Sequence, residues 1–345
     1  MSNEKVKRYN IQDPSSKQFS KITEDLYWAR IPLPFRLDHV NVFAIKSTDG
    51  FILIDTGINN YDTKRCWDSI LKNMPAKKEI SKIIVTHHHP DHIGLSKYLS
   101  EKLKIKVYAP KKEVSRAKRI IDLNDEEYGD LLSRSYEEFG LSKKIINKSR
   151  IRGNFYKGMI KELPKLINLQ DKFDIITKEG RWTARFDTGH SPSQLSLFDN
   201  DRKIYLCFDF LLPRISPNIS VGIEDNENNI LGEYFKYLIS IINDFKSDWV
   251  VIPGHEFPYY DPVKRARDLI SHHNSRLDLI LRKIKNAKLT VQDAMEVLFD
   301  KIQNSHDVFF ASCETKAHIN YLLYEKNITV NKEDKIFKYL NNLRN

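Results

Sequence analysis

Residues 87–92 of the 345-residue chain read His-His-His-Pro-Asp-His, four histidines and a carboxylate in six consecutive positions. Deprotonatable side chains crowded this closely are costly to assemble unless a cation compensates them. Borderline-soft ions such as zinc accept imidazole and carboxylate together. The stretch follows the apolar run Ile83-Ile84-Val85, the text of a short buried strand, and precedes Leu95-Ser96-Lys97-Tyr98-Leu99-Ser100, which reads as a helix start. It therefore occupies a strand-to-helix turn. Residues two apart at a strand end point the same way, so His87 and His89 can grip one ion while Asp91 and His92, around the turn, face another. His88 then points away.

Three more ligand-type residues stand at or near strand ends. Asp209 closes the apolar run Ile204-Tyr205-Leu206-Cys207-Phe208, where an acid is expensive to bury unless paired or metal-bound. His190 lies in a Gly-His-Ser-Pro turn between two strand-like segments, and His255 follows Trp249-Val250-Val251-Ile252-Pro253-Gly254. Each alone reads as a capped turn residue; their recurrence beside the 87–92 cluster makes them candidate metal ligands. Asp55, at the end of Phe51-Ile52-Leu53-Ile54, reads either as a turn residue or as a carboxylate that orients a metal-bound imidazole.

The elements that must carry these residues begin near Ile22. Short apolar runs at 26–29, 40–45 and 51–54 read as strands, the last two joined as a hairpin through Ser47-Thr48-Asp49-Gly50, with a helix over 62–73 and a strand over 104–109. Residues 111–167 show helical spacing (Tyr128, Leu131, Leu132, Tyr136, Phe139) and no clear strand, a helical insert of the kind that acts as a lid and sets specificity. Within it, residues 153–158 read as a mobile loop. Strand text resumes at Lys172 and runs to about residue 253. After Pro258 the pattern is helical, with Asp261 as N-cap and Pro262 at the first position of a long helix, and Thr290 as N-cap of the next. A third helical run over 314–324, a short strand at 328–330 and a final helix over 335–340 suggest a winged-helix-like appendage. The expected organisation is a weakly ordered tail over 1–21, a catalytic domain over 22–260, a linking helix over 261–285 and a winged-helix-like domain over 286–345.

Taken in order, Asp55-Thr56-Gly57, His87-x-His89-x-Asp91-His92, His190, Asp209, and His255 in Pro-Gly-His-Glu resemble the metallo-β-lactamase fold superfamily of metal-dependent hydrolases over residues 22–260. The resemblance implies an α+β protein, a four-layer αββα sandwich with a helical insert and a small C-terminal helical domain, carrying two metals at the ends of its two sheets. It implies that His87, His89 and His190 hold one metal, that Asp91, His92 and His255 hold the other, and that Asp209 bridges them. The family usually has Gly before the bridging acid; here Phe208 stands there. Residues 189–198, 213–219 and the terminal appendage resemble the hydroxyacylglutathione-hydrolase-like branch.

Composition bounds the partners. The net charge is +10, and residues 102–165 hold 17 Lys and Arg against 9 Asp and Glu, so most of the excess lies in that one segment. A basic segment beside a metal site suggests a small anionic substrate. The terminal appendage carries 8 of each sign over 286–345, which favours packing or homodimer formation over nucleic-acid binding. No run approaches the roughly 20 apolar residues of a membrane span. The N-terminal residues have no apolar centre, and three dispersed cysteines suit a reducing compartment, so the expected location is cytoplasmic. The expected function is a binuclear hydrolase with two zinc ions, iron or manganese being the alternatives. It uses a metal-bound hydroxide on a thioester or other activated ester with an anionic carrier, and Asp91 also orients the nucleophile or shuttles its proton. The alternative function is a phosphodiesterase or ribonuclease using the same site.

Overall fold

The computed structural model describes residues 6–74, 79–285 and 287–342. Residues 1–5 and 343–345, the outer ends of the expected tail and appendage, and residue 286, the expected appendage boundary, lie outside the described residues.

The chain opens with β1 (Ser20–Lys21), β2 (Leu26–Pro32), β3 (His39–Ser47), β4 (Gly50–Ile54), α1 (Tyr61–Asn73) and β5 (Ile80–Ile84). Next come α2 (Pro90–Ile93), α3 (Ser96–Leu103), β6 (Lys106–Ala109) and the insert helices α4 (Lys111–Asp122), α5 (Asp125–Glu138), α6 (Lys143–Arg152) and α7 (Phe155–Ile160). Strands β7 (Leu166–Asn168), β8 (Asp174–Ile176), β9 (Arg181–Asp187), β10 (Gln194–Asp199) and β11 (Ile204–Phe208) follow. The remainder is α8 (Ile230–Asp244), β12 (Val250–Pro253), β13 (Tyr259–Tyr260), α9 (Pro262–Ile284), α10 (Val291–Leu298), α11 (Ser305–Tyr324), β14 (Ile328–Glu333) and β15 (Ile336–Asn341).

The chain divides into two compact units, the first formed by residues 1–122, 156–217 and 241–265. It contains a seven-stranded sheet in the order β1 to β7 and a six-stranded sheet in the order β13-β12-β11-β10-β9-β8. Strand alternation builds two cores at once. Along β2 to β4, Trp28, Phe43, Ile45, Ile52 and Ile54 pack between the sheets against Trp182, Leu195, Leu197 and Leu206. Their neighbours Ala29, Ile31, Val42, Ala44 and Leu53 face the opposite way and join Trp67, Ile70 and Leu99 of the covering helices. Both faces are buried, which is why these strands read as continuous apolar runs. Within this unit, Phe245 packs on Tyr205 and Phe198 of the second sheet.

The structure corrects the tail. From Val6 onward it is docked: Tyr9 N donates to Pro258 O, Tyr260 N donates to Lys7 O, and β1 pairs with β2. Polar composition hid this because backbone pairing needs no apolar side chains. The insert is helical as expected but ends at Ile160, and its last expected residues, 166–167, belong to β7, which extends the first sheet beside β6. The expected loop at 153–158 is mostly α7; Gly153, at φ +62°, ends α6 and the chain re-enters helix at Phe155.

The second unit comprises residues 123–155, 218–240 and 266–345. Asn124 and Glu127 form a reciprocal cap on α5, and Gly129 lets α5 approach α6 closely, since a Cβ there would lie 2.8 Å from Arg150 O. Thr290 caps α10 as expected. The expected final helix over 335–340 is instead strand β15, paired antiparallel with β14 through Val330↔Tyr339 and Lys332↔Phe337. Asp334, at φ +55°, turns the chain back, and Ile336-Phe337-Lys338-Tyr339-Leu340 is as rich in β-formers as in helical spacing. Among the described residues, no helix is long and apolar enough to cross a membrane.

Candidate metal centre

Parallel strands β4 and β5 end side by side, placing Asp55 and the 86–92 turn at the same edge of the first sheet. Strands β11 and β12, also parallel, end in Asp209 and in Gly254-His255. The β9–β10 connection supplies His190. All seven residues expected as ligands come together from these ends. The donor atoms of His87, His89, His190 and Asp209 lie within 4.8 Å of one another, and so do those of Asp91, His92 and His255.

Asp209 Oδ2 reaches both groups. It lies 3.9 Å from His87 Nε2 and 3.6 Å from His190 Nε2, and 3.3 Å from His92 Nε2 and 3.2 Å from His255 Nε2. Asp91 Oδ2 is 3.4 Å from His255 Nε2 and 3.8 Å from His92 Nε2. Its side chain keeps 21 % of its exposure, whereas those of His87 and His92 have none.

The far sides of the rings are held by polar partners. Asp55 Oδ2 accepts from His92 Nδ1 at 2.7 Å and from Thr86 Oγ1 at 2.8 Å, and Asp55 Oδ1 accepts from Thr86 N at 2.8 Å. His255 Nδ1 donates to His39 O at 2.7 Å. The second reading of Asp55 is therefore the correct one: it orients an imidazole. His88 does point away, its Nδ1 bonded to Glu113 Oε2 at 2.7 Å.

Burial pushes the His87 and His89 rings well below the ordinary imidazole range, and neighbouring histidines push the same way. Burial acts likewise on His92 and His255, but the carboxylates together outweigh it, Asp209 foremost, with Asp91 adding to both and Asp55 to His92, so both rings are raised. Asp209 is opposed by burial, yet His255 and His92 hold it well below the usual carboxylate range.

The donor set fits divalent cations on the structure's own terms. His92 Nε2 and Asp209 Oδ1 are buried and make no hydrogen bond among the described residues, a condition that folded proteins avoid unless something else completes the site. The backbone leaves them room: a Cβ on Gly254 would sit 2.4 Å from Asp209 Oδ1. Phe208 takes φ +47°, the conformation that explains why glycine suits this position. The approach to Asp209 is kept despite the side chain, whose ring packs edge-on against Phe43 at 5.7 Å.

Three residues that position the site carried no sequence signal. Asn41 donates to Pro253 O and Glu256 O beside His255, His39 offers its carbonyl, and Glu113 lies in what reads as a basic helical face.

The model of the metallo-beta-lactamase superfamily matches residues 35–265, and that of the metallo-beta-lactamase-like C-terminal domain matches residues 277–342. The chain is 24% identical over 312 residues to the probable metallo-hydrolase YqjP of Bacillus subtilis, covering 89% of this chain and 95% of the relative. A beta-lactamase domain protein from Burkholderia ambifaria has a similar structure, with a TM-score of 0.88, 22% identity and 98% of each chain covered. A metallo-beta-lactamase family protein from Thermus thermophilus gives 0.77 and 23%, over 93% of this chain and all of its own.

Proposed function

The chain belongs to the metallo-beta-lactamase superfamily and is a metallo-hydrolase, and from that premise we propose that it hydrolyses a thioester or other activated ester joined to an anionic carrier, with two zinc ions in a shared centre. Iron or manganese is the alternative load for the same ligands. The observation that carries the binuclear reading is the position of Asp209 Oδ2, within 3.9 Å of imidazoles from both donor groups. His87, His89 and His190 would hold one cation, Asp91, His92 and His255 the other, with Asp209 between them. When bound, such a pair lowers the pKa of a water and stabilises negative charge on a substrate oxygen.

The chain's own residues supply the rest. Asp55 and His39 fix which nitrogen of His92 and His255 faces the centre. Asp91, which is partly exposed, would take a proton from the attacking water and return it to the departing group. The preference for an anionic carrier is supported by the basic insert. Its first helix, α4, begins with the exposed Lys111 and Lys112, next to Glu113, which is bonded to the ligand turn at His88.

The purified protein, loaded in turn with zinc, iron and manganese, should be assayed on acyl thioesters, lactones and phosphodiesters. Thioester turnover that falls by at least about 100-fold in His87→Ala and Asp209→Ala is expected, the scale of removing a group that acts on transition-state charge. Wild-type turnover in those variants would overturn the site. Cleavage of phosphodiesters alone, with RNA binding that weakens steeply with salt, would replace the substrate class.

A further inference from the structure

We propose that Glu113 is a positioning residue that clamps together the two turns bearing His87, His89 and His190, and so sets the geometry of one of the two proposed cation sites. The inference rests on the binuclear reading above. Glu113 lies in the first turn of α4 and is 1 % exposed. A carboxylate in such a place is expensive to bury unless its acceptor positions are filled. Both oxygens are filled, and they are filled from two different turns.

One oxygen, Oε2, accepts from His88 N at 3.0 Å and His88 Nδ1 at 2.7 Å, on the turn between His87 and His89. The other, Oε1, accepts from Ser191 Oγ at 2.8 Å and Ser193 N at 2.5 Å, immediately after His190. His87 and His89 share a backbone with His88, and His190 with Ser191, so a shift of this carboxylate would move ligands on both sides of one cation. The rings concerned are already close: the centroids of His89 and His190 are 4.6 Å apart. Tyr156 donates to His88 O and holds the same turn from its other side. In the second group, His92 is held by Asp55 and His255 by the His39 carbonyl, so that group has its own supports.

The expected consequence is selective. Losing the clamp should weaken one cation and spare the other, at the scale of about 10- to 100-fold seen when a partner of a ligand is removed. The experiment is a zinc titration of the full chain against a chromophoric chelator, with the metal retained after dialysis counted by elemental analysis. Wild type should retain two zinc ions and Glu113→Ala one, with the weaker affinity reduced about 10- to 100-fold. Glu113→Gln, which keeps the shape but turns an amide toward the Ser193 and His88 donors, should shift the same site by a smaller factor.

Val114→Ala, which trims a buried residue on the same helix, controls for loss of stability and should retain both ions. The Glu113→Ala effect should vanish in a His190→Ala background and persist in His255→Ala, because coupled residues are not additive. Two ions with wild-type affinity in Glu113→Ala would overturn the clamp, and so would an equal loss in Val114→Ala. Should Glu113→Ala not fold, Ser191→Ala removes a single bond of the clamp; a loss of about threefold or more at the same site supports the proposal, and an unchanged titration overturns it. A wild type that binds no divalent cation would instead sink the binuclear reading on which the clamp rests.

Discussion

His92 Nδ1 lies 2.7 Å from Asp55 Oδ2, and the same carboxylate accepts from the backbone and side chain of Thr86, the residue before the first histidine of the cluster. Asp55 thus ties the start of the turn to the ring near its end. It sits at φ +62°, a conformation that Asp and Asn tolerate better than alanine does. Asp55→Ala should therefore lose both the orienting bond and about 1 kcal/mol through backbone strain. Asp55→Asn keeps the backbone preference and one acceptor. We expect metal affinity, read by chelator competition, to fall about 10- to 100-fold in Asp55→Ala and less in Asp55→Asn.

Phe208 presents two opposed effects. Its φ of +47° costs about 1 kcal/mol that glycine would recover, whereas removing a fully buried Phe costs about 3–5 kcal/mol. Packing wins: Phe208→Gly should destabilise the protein by roughly 2–4 kcal/mol in urea unfolding. A stabilised variant would show that strain dominates.

Gly254→Ala should be more damaging to activity than to folding. Its Cβ would stand 2.4 Å from Asp209 Oδ1 and 3.3 Å from His92 Cε1, so the carboxylate that reaches both groups must shift. Misplacement on the order of 1 Å costs about 100-fold in turnover. Measuring kcat alongside thermal stability separates the two.

Asp25 gives a pH dependence away from the metal centre. Burial opposes its charge, but Arg202, with Thr23, Thr177 and Trp182 adding hydrogen bonds, brings its pKa down to about 2. A carboxyl lowered on folding contributes stability that is fully present above its unfolded value near 4 and is lost as pH falls through 2. The contribution at neutral pH is roughly 2 kcal/mol. Asp25→Asn should lose it at pH 7 and show a flatter decline between pH 4 and 2 in denaturant titrations.

Lys316 has the reverse sign. It is 4 % exposed, and burial brings its pKa down to about 8 while its Nζ bonds Asn320 Oδ1 at 2.6 Å. A base depressed on folding destabilises most below that value and is relieved as pH rises from 8 toward its unfolded value near 10.5. Lys316→Met should raise stability at pH 7, by up to about 3 kcal/mol less the lost hydrogen bond, and the gain should shrink above pH 9.

What the sequence by itself determined is local and chemical. The six-residue cluster, the acids and histidines at strand ends and the apolar runs of β2 to β5 were legible because ligand chemistry and strand burial both leave their mark on neighbouring residues. The caps at Thr290 and Asp261 were legible for the same reason: each acts within three residues of itself. The tertiary structure decided whatever depends on partners distant along the chain. Backbone pairing of the segment from Val6 to Lys21 with strands of both sheets needed no apolar signal, and Lys335 to Leu340 became strand only because β14 was there to receive it. Asp55 could be a turn residue or an orienting carboxylate until His92, 37 positions away, was brought to it. Glu113 looked like one charge on a basic helix; folding buried it and gave it two turns, 25 and about 80 residues away, to hold. Charge and spacing along a chain carry no record of such pairings, because they are set by which strand ends the two sheets bring together.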